Sequence, residues 1–109
     1  MKVLVVDDDL DVRNLLLAFL KKLEVEAAAE ANAEDALLAL AQISDQFDVV
    51  ITDDDIPRMR GTELAHHIKE IWPEIRVILM SAREIDKGDA DIFIWKPFKL
   101  RVLQAALGL

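Results

Sequence analysis

The sequence predicts an α/β fold, a single doubly wound sheet of five parallel strands, and three observations carry that prediction. Short, nearly uninterrupted apolar runs occur five times, as expected of strands buried on both faces. Stripes with helical spacing separate the first four runs and follow the last, and such alternation gives a parallel sheet with helices over both faces. The links are short, with no repeat or low-complexity segment, and 109 residues suffice for one domain with its own core and are too few for two.

Taken in order, Val3–Val6 reads as the first strand. Val12, Leu15, Leu16, Phe19, Leu20 and Leu23 then fall on one helical stripe, with Asp9 or Asp11 placed to cap its first turn. Val25–Glu30 is a weaker, alanine-diluted strand. Asn32 is the expected cap of a second helix carrying Ala33, Ala36, Leu37, Leu40 and Ala41 on one face. Val49–Thr52 is the third strand. In "GTELAHHIKEIW", Leu64, Ala65, Ile68, Ile71 and Trp72 make the third stripe and Pro73 closes it. Val77–Met80 and Ile92–Trp95 supply two more strands, and Leu100, Leu103, Ala106 and Leu107 mark the last helix.

Composition narrows the class of partner. The net charge of −8 repels phosphate backbones and anionic lipid, and Lys21-Lys22 and Lys99/Arg101 are pairs rather than patches. Neither nucleic acid nor a membrane is therefore an expected partner. No cysteine is present, which excludes disulfides and thiolate sites. Only four apolar residues stand between Lys2 and the first aspartate, too few for a signal-peptide core. No apolar run approaches the ~18 residues of a membrane span. The expectation is a soluble, cytoplasmic domain.

The chemistry gathers at strand ends. Sheets of this kind bind ligands off the carboxyl ends of their strands, near the point where strand order reverses. The strong strands end in Asp7-Asp8, Asp53, Ser81 and Lys96. Two or three converging carboxylates disfavour one another's ionised forms unless a cation joins them. A hard divalent ion such as Mg²⁺ supplies that charge with a few protein oxygens and retained waters. An ammonium at Lys96 and a hydroxyl at Ser81 complete a set suited to the equatorial oxygens of a transferring phosphoryl group. A carboxylate at the centre is then a candidate nucleophile, and Asp53, at a strand tip before the turn "DIPRMRG", is the natural choice.

The order Asp-Asp, then Asp-x-x-Ile-Pro-x-Met-x-Gly, then Ser-Ala after an apolar strand, then Lys-Pro-Phe, resembles the receiver domain of bacterial response regulators, of the single-domain chemotaxis type. The resemblance spans residues 1–109 as one receiver domain and implies the strand order 2-1-3-4-5. It implies Asp53 as phosphoacceptor, with Asp7, Asp8, Asp53 and the Asp55 carbonyl around Mg²⁺, Asp8 being the preferred direct ligand over Asp7. Ser81 would bind the phosphoryl group and move towards it, and Lys96 would pair with it. Phe93 matches the aromatic switch position, and Lys96-Pro97 is a cis-peptide candidate. Asp55 and Arg83, each two residues beyond a site residue, fall where receivers tune the phosphoryl lifetime, either by pairing across the path of attacking water or through Asp55 orienting it. A histidine kinase or histidine phosphotransferase would donate, a downstream protein target would respond, and the domain would be a monomer or weak dimer, alone or as the first domain of a longer chain.

One departure stands out. Only Ala82–Ala90 lies between the fourth and fifth strands, where receivers carry a helix. These residues can cross back when extended, reaching up to ~30 Å, but as a helix they cover only ~13 Å and leave nothing for turns. That helix is therefore expected to be absent or one turn long. Phe93 and Trp95 would face the vacated side, with Trp95 partly covering it, the rival being a buried Trp95 against the third helix. Asp9 is expected to be a loop residue or helix cap, Asp54 to be exposed, and His66-His67 to be a surface pair. Two other functions compete: a receiver-shaped adaptor that is not phosphorylated, and a haloacid-dehalogenase-type phosphatase with Asp7-Asp8-Asp9 as its motif. In that phosphatase the lysine precedes the second acidic group, whereas Lys96 follows Asp53. An EF-hand reading fails at Val12 and Ala18.

Overall fold

The structure, a computed structural model, describes residues 1–43 and 46–109. Among the described residues, five strands and four helices follow in the order β1 (Lys2–Val6), α1 (Leu10–Lys22), β2 (Glu26–Glu30), α2 (Ala33–Ile43), β3 (Val49–Asp53), α3 (Gly61–Ile71), β4 (Arg76–Ser81), β5 (Ile92–Trp95) and α4 (Leu100–Ala106). All neighbouring strands are parallel and the sheet order is β2-β1-β3-β4-β5.

The two-residue period of the strands sorts the core into two layers. Leu4, Val6, Val50, Val77 and Leu79 point to one face, where Ala36 and Leu40 of α2 and Leu64, Ala65 and Ile68 of α3 cover them. Val3, Val5, Ile51, Ile78, Met80 and Ile94 point to the other, against Leu16 and Leu20 of α1 and Leu103 and Ala106 of α4. Side chains of this size, removed entirely from water, stabilise by about 1.5–3 kcal/mol each before entropy is counted.

Local chemistry sets the helix starts. Asp9 is the N-cap of α1, its Oδ1 accepting from the Asp11 N–H at 2.9 Å. Asn32 Oδ1 accepts from the Asp35 N–H at 2.8 Å at the start of α2. Residues 82–91 contain no helix, as the shortness of the link requires. This crossover runs over the α2/α3 face, where Ala90 is buried and Ile85 half-buried in the first core layer. Phe93 packs into that layer and Trp95 stays 52% exposed, so the buried alternative for Trp95 does not hold.

Candidate functional site

The reversal of strand order lies between the parallel neighbours β1 and β3, from which the chain passes to β2 on one side and to β4 on the other. Their register pairs Val6 with Thr52, so Asp7 and Asp53, one residue further on, come side by side at the carboxyl edge. β4 ends beside β3 with Ser81, and β5 brings Lys96 next to it, the Lys96 N–H donating to the Ser81 carbonyl at 2.8 Å. The sheet register therefore assembles groups that are 89 residues apart in the chain.

Asp7, Asp8 and Asp53 each offer a carboxylate oxygen, and these oxygens lie within 4.8 Å of one another. Asp7 and Asp53 are buried and Asp8 is exposed. Lys96 Nζ lies 3.3 Å from Asp7 Oδ2 and 3.3 Å from Asp53 Oδ2. One ammonium thus faces two of the three carboxylates, and the cluster holds more acidic groups than this cation can balance. Burial pushes the Asp53 carboxyl above its ordinary range and the neighbouring Asp7 adds to this, while Lys96 opposes it. Burial by itself would lower the Lys96 ammonium, but Asp53 and Asp7 outweigh it and hold the group above its usual value.

The surrounding contacts fix these groups. Asp7 Oδ1 accepts from the Asp9 N–H at 2.9 Å, and the Asp7 carbonyl accepts from Arg13 Nη1 at 2.7 Å. Thr52 Oγ1 donates to the Asp53 carbonyl at 2.9 Å. Ser81 is buried and its Oγ accepts from the Arg83 N–H at 3.1 Å. Lys96-Pro97 is a cis peptide bond. Asp53, Asp55, Ser81, Ala82, Arg83 and Lys96 line a cleft of about 180 Å³. Phe93 stacks edge-on against Trp95, centroids 5.3 Å apart.

Two expectations need correction. Asp54 is buried rather than exposed, because Arg60 and the Thr62 N–H converge on its carboxylate. Burial acts to raise that carboxyl, but these hydrogen bonds prevail and hold it below its usual range. The Arg83 guanidinium approaches this Asp54 and not Asp55. Sequence reasoning also passed over Arg13, Thr52, Arg60 and Thr62, whose roles depend on contacts that no spacing encodes. The signal for Gly61 was in the motif. A Cβ there would stand 2.8 Å from Asp54 Cα and 2.9 Å from the Asp53 carbonyl carbon, so the turn after the central aspartate closes only on glycine. His66 is exposed between Glu70 and Asp89, and His67 is half-buried.

A doubly wound parallel sheet with an acidic cluster, a hydroxyl and a lysine at its switch point defines a class of phosphoryl-handling switch domains. A family model for the response regulator receiver domain matches residues 3–108, and the chain belongs to that family. It is 33% identical to the DNA-binding transcriptional regulator NtrC of Azospirillum brasilense over 93% of this chain and 22% of that protein. It is 31% identical to the response regulator MprA of Mycobacterium avium (strain 104) over 98% of this chain and 49% of that protein. The chain thus spans between about a fifth and a half of these curated relatives. Among solved structures, a response regulator receiver domain protein of Clostridium thermocellum superposes with a TM-score of 0.92 at 25% identity, covering 98% of this chain and 90% of that one. Receiver domains interact with histidine kinases and downstream effectors. Among the described residues no helix is long and apolar enough to cross a membrane.

Proposed function

We propose that residues 1–109 form one receiver domain that accepts a phosphoryl group on Asp53 from a phosphohistidine and acts as a switch or relay. The observation that carries this reading is Lys96 Nζ at 3.3 Å from both Asp7 and Asp53, in a cluster whose remaining negative charge calls for a further cation. In the transfer, an Asp53 carboxylate oxygen forms the new O–P bond while the P–N bond of the donor breaks. The electron pair leaves with the imidazole nitrogen, which takes up a proton. Lys96 stands against the charge on the phosphoryl oxygens, and the Ser81 hydroxyl, whose oxygen accepts from the Arg83 N–H, donates its own proton to one of them.

The donor set of Asp7, Asp8 and Asp53 is all hard oxygen and fits Mg²⁺, which these residues would hold with the Asp55 carbonyl, Asp8 being the most accessible. Bound Mg²⁺ supplies charge neutralisation to phosphoryl oxygens. Phe93, at the edge of the first core layer, is the switch aromatic of this reading, and Asp55 and Arg83 on the cleft rim tune hydrolysis. The partners are a histidine kinase or phosphotransferase and a downstream protein target, for a cytoplasmic monomer or weak dimer. A relative described as DNA-binding shows that a longer chain can carry such a function, while the charge of −8 supports no nucleic-acid contact by this segment itself.

The test is exposure to phosphoramidate with and without Mg²⁺, read by intact mass. The expected result is a single phosphoryl adduct on the wild type that needs Mg²⁺ and is lost in Asp53→Asn. No adduct on the wild type would overturn the phosphoacceptor reading in favour of an adaptor.

A further inference from the structure

Asp54 is a buried charge that the proposed transfer leaves unused. Only 1% of its surface is exposed, although it directly follows Asp53. Its Oδ1 accepts from the Thr62 N–H at 3.1 Å and so serves the first turn of α3, where a carboxylate is favoured. Its Oδ2 accepts from Arg60 Nε at 3.2 Å and from Arg60 Nη2. The same Oδ2 lies 4.0 Å from Arg83 Nη2. One carboxylate therefore serves two guanidiniums unequally, Arg60 through hydrogen bonds and Arg83 through charge alone.

Whereas Arg60 is hydrogen-bonded, Arg83 is the more loosely held guanidinium, 4.0 Å from Asp54 with no hydrogen bond to it. Its side chain is 65% exposed and lines the cleft over Asp53. Its main-chain N–H is the group that occupies Ser81 Oγ. We propose that Asp54 is a positioning residue that parks the Arg83 guanidinium at the cleft rim and yields it to the phosphoryl group once Asp53 carries one. This rests on the reading of Asp53 as the phosphoacceptor.

The exchange is favourable in each part. A contact at 4.0 Å to a guanidinium that is largely in solvent is weak, and when Arg83 leaves, Asp54 keeps Arg60 and the Thr62 N–H, so no buried charge is orphaned. The incoming group carries about two negative charges, and the planar guanidinium fork suits its oxygens bidentately. The main-chain Arg83 N–H stays bonded to Ser81 Oγ while the side chain swings, so the guanidinium moves from a fixed anchor beside the hydroxyl. The pairing of Asp54 with Arg83 thus links the β3–α3 loop to the segment that follows Ser81.

The experiment is a double-mutant cycle on the initial rate of phosphoramidate labelling at Asp53 in saturating Mg²⁺. It compares wild type, Asp54→Asn, Arg83→Ala and the double variant. Asp54→Asn keeps an oxygen for the Thr62 N–H and removes the charge that holds Arg83. The expected result is a rate raised in Asp54→Asn and lowered in Arg83→Ala, each by about two- to fivefold, the scale of an exposed ion pair. The double variant should match Arg83→Ala. A gain from Asp54→Asn that persists without Arg83, or an Arg83→Ala rate equal to wild type, overturns the proposal. Should Asp54→Asn fail to fold, the Arg83 Nε–H signal of the wild type, assigned by its loss in Arg83→Ala, decides. It should move on adding beryllofluoride with Mg²⁺, and a stationary signal overturns the exchange. A wild type that takes no label at Asp53 sinks the phosphoacceptor reading and this inference together. Labelling that needs Asp53 but shows additive effects at 54 and 83 sinks this inference alone.

Discussion

Asp53 sits where three carboxylates meet one ammonium, and the conflict has a direction that can be measured. Its carboxyl titrates above the ordinary value because burial and Asp7 outweigh Lys96. A raised folded value means that its favourable contribution is present below the ordinary carboxylate range and is lost as pH rises through the raised value. At neutral pH the ionised group therefore lowers the stability of the metal-free domain. Asp53→Asn is expected to raise Tm at pH 7 without divalent ions by several degrees, about 1 kcal/mol for a domain near this size. Lys96 keeps Asp7 as a partner in that variant. The gain should shrink on acidification, where wild-type Asp53 is protonated, and a thermal melt at several pH values checks both signs. At this scale the sequence was legible for the site's residue types and not for their neighbours. Asp53, Asp54 and Asp55 are identical letters, yet the first faces Lys96, the second is sealed by Arg60, and the third is exposed.

The crossover from β4 to β5 shows how an element can be replaced by attachments. Without a helix, residues 82–91 are held by Ile85 and Ala90 in the core and by side chains of α3. Asp91 Oδ2 accepts from the Val77 N–H at 2.8 Å and from Lys69 Nζ at 3.0 Å, and Lys69 also donates to the Pro73 and Ile75 carbonyls. His66 Nδ1 lies 2.7 Å from Asp89 Oδ2. Burial acts to raise the Asp91 carboxyl, but the Val77 N–H and Lys69 bring it below its usual range. Its contribution is therefore present above the ordinary carboxylate range and lost as pH falls through the lowered value. Asp91→Ala leaves the Val77 N–H unpaired near the start of β4 and should cost about 1–3 kcal/mol. The check is a lower urea midpoint with an unchanged m-value. The missing helix was legible because chain length bounds what the nine residues Ala82–Ala90 can span. The attachments were not, since Lys69 and Asp91 are 22 residues apart and meet only after α3 packs on β4.

Over the whole molecule, the two faces of the sheet are covered unequally. α1 and α4 close one face, while α2 and α3 with an irregular link close the other, and Trp95 stands 52% exposed at the edge strand. In a Trp72→Phe background, acrylamide should quench the remaining Trp95 fluorescence efficiently. A shielded emission would mean that the crossover lies over the indole. The fold class, the parallel order of the elements and the four chemical groups at strand ends were determined by the sequence alone. Period-two and helical patterns are local, and the end of an apolar run marks a strand tip wherever that strand goes. Only the tertiary structure decided which aspartate of "DDD" is buried, which guanidinium each meets, and that Lys96 stands equally far from Asp7 and Asp53. Alternation stops at the last strand residue. Beyond it, burial and charge depend on loops that converge from distant parts of the chain, and that convergence follows from sheet register and helix packing.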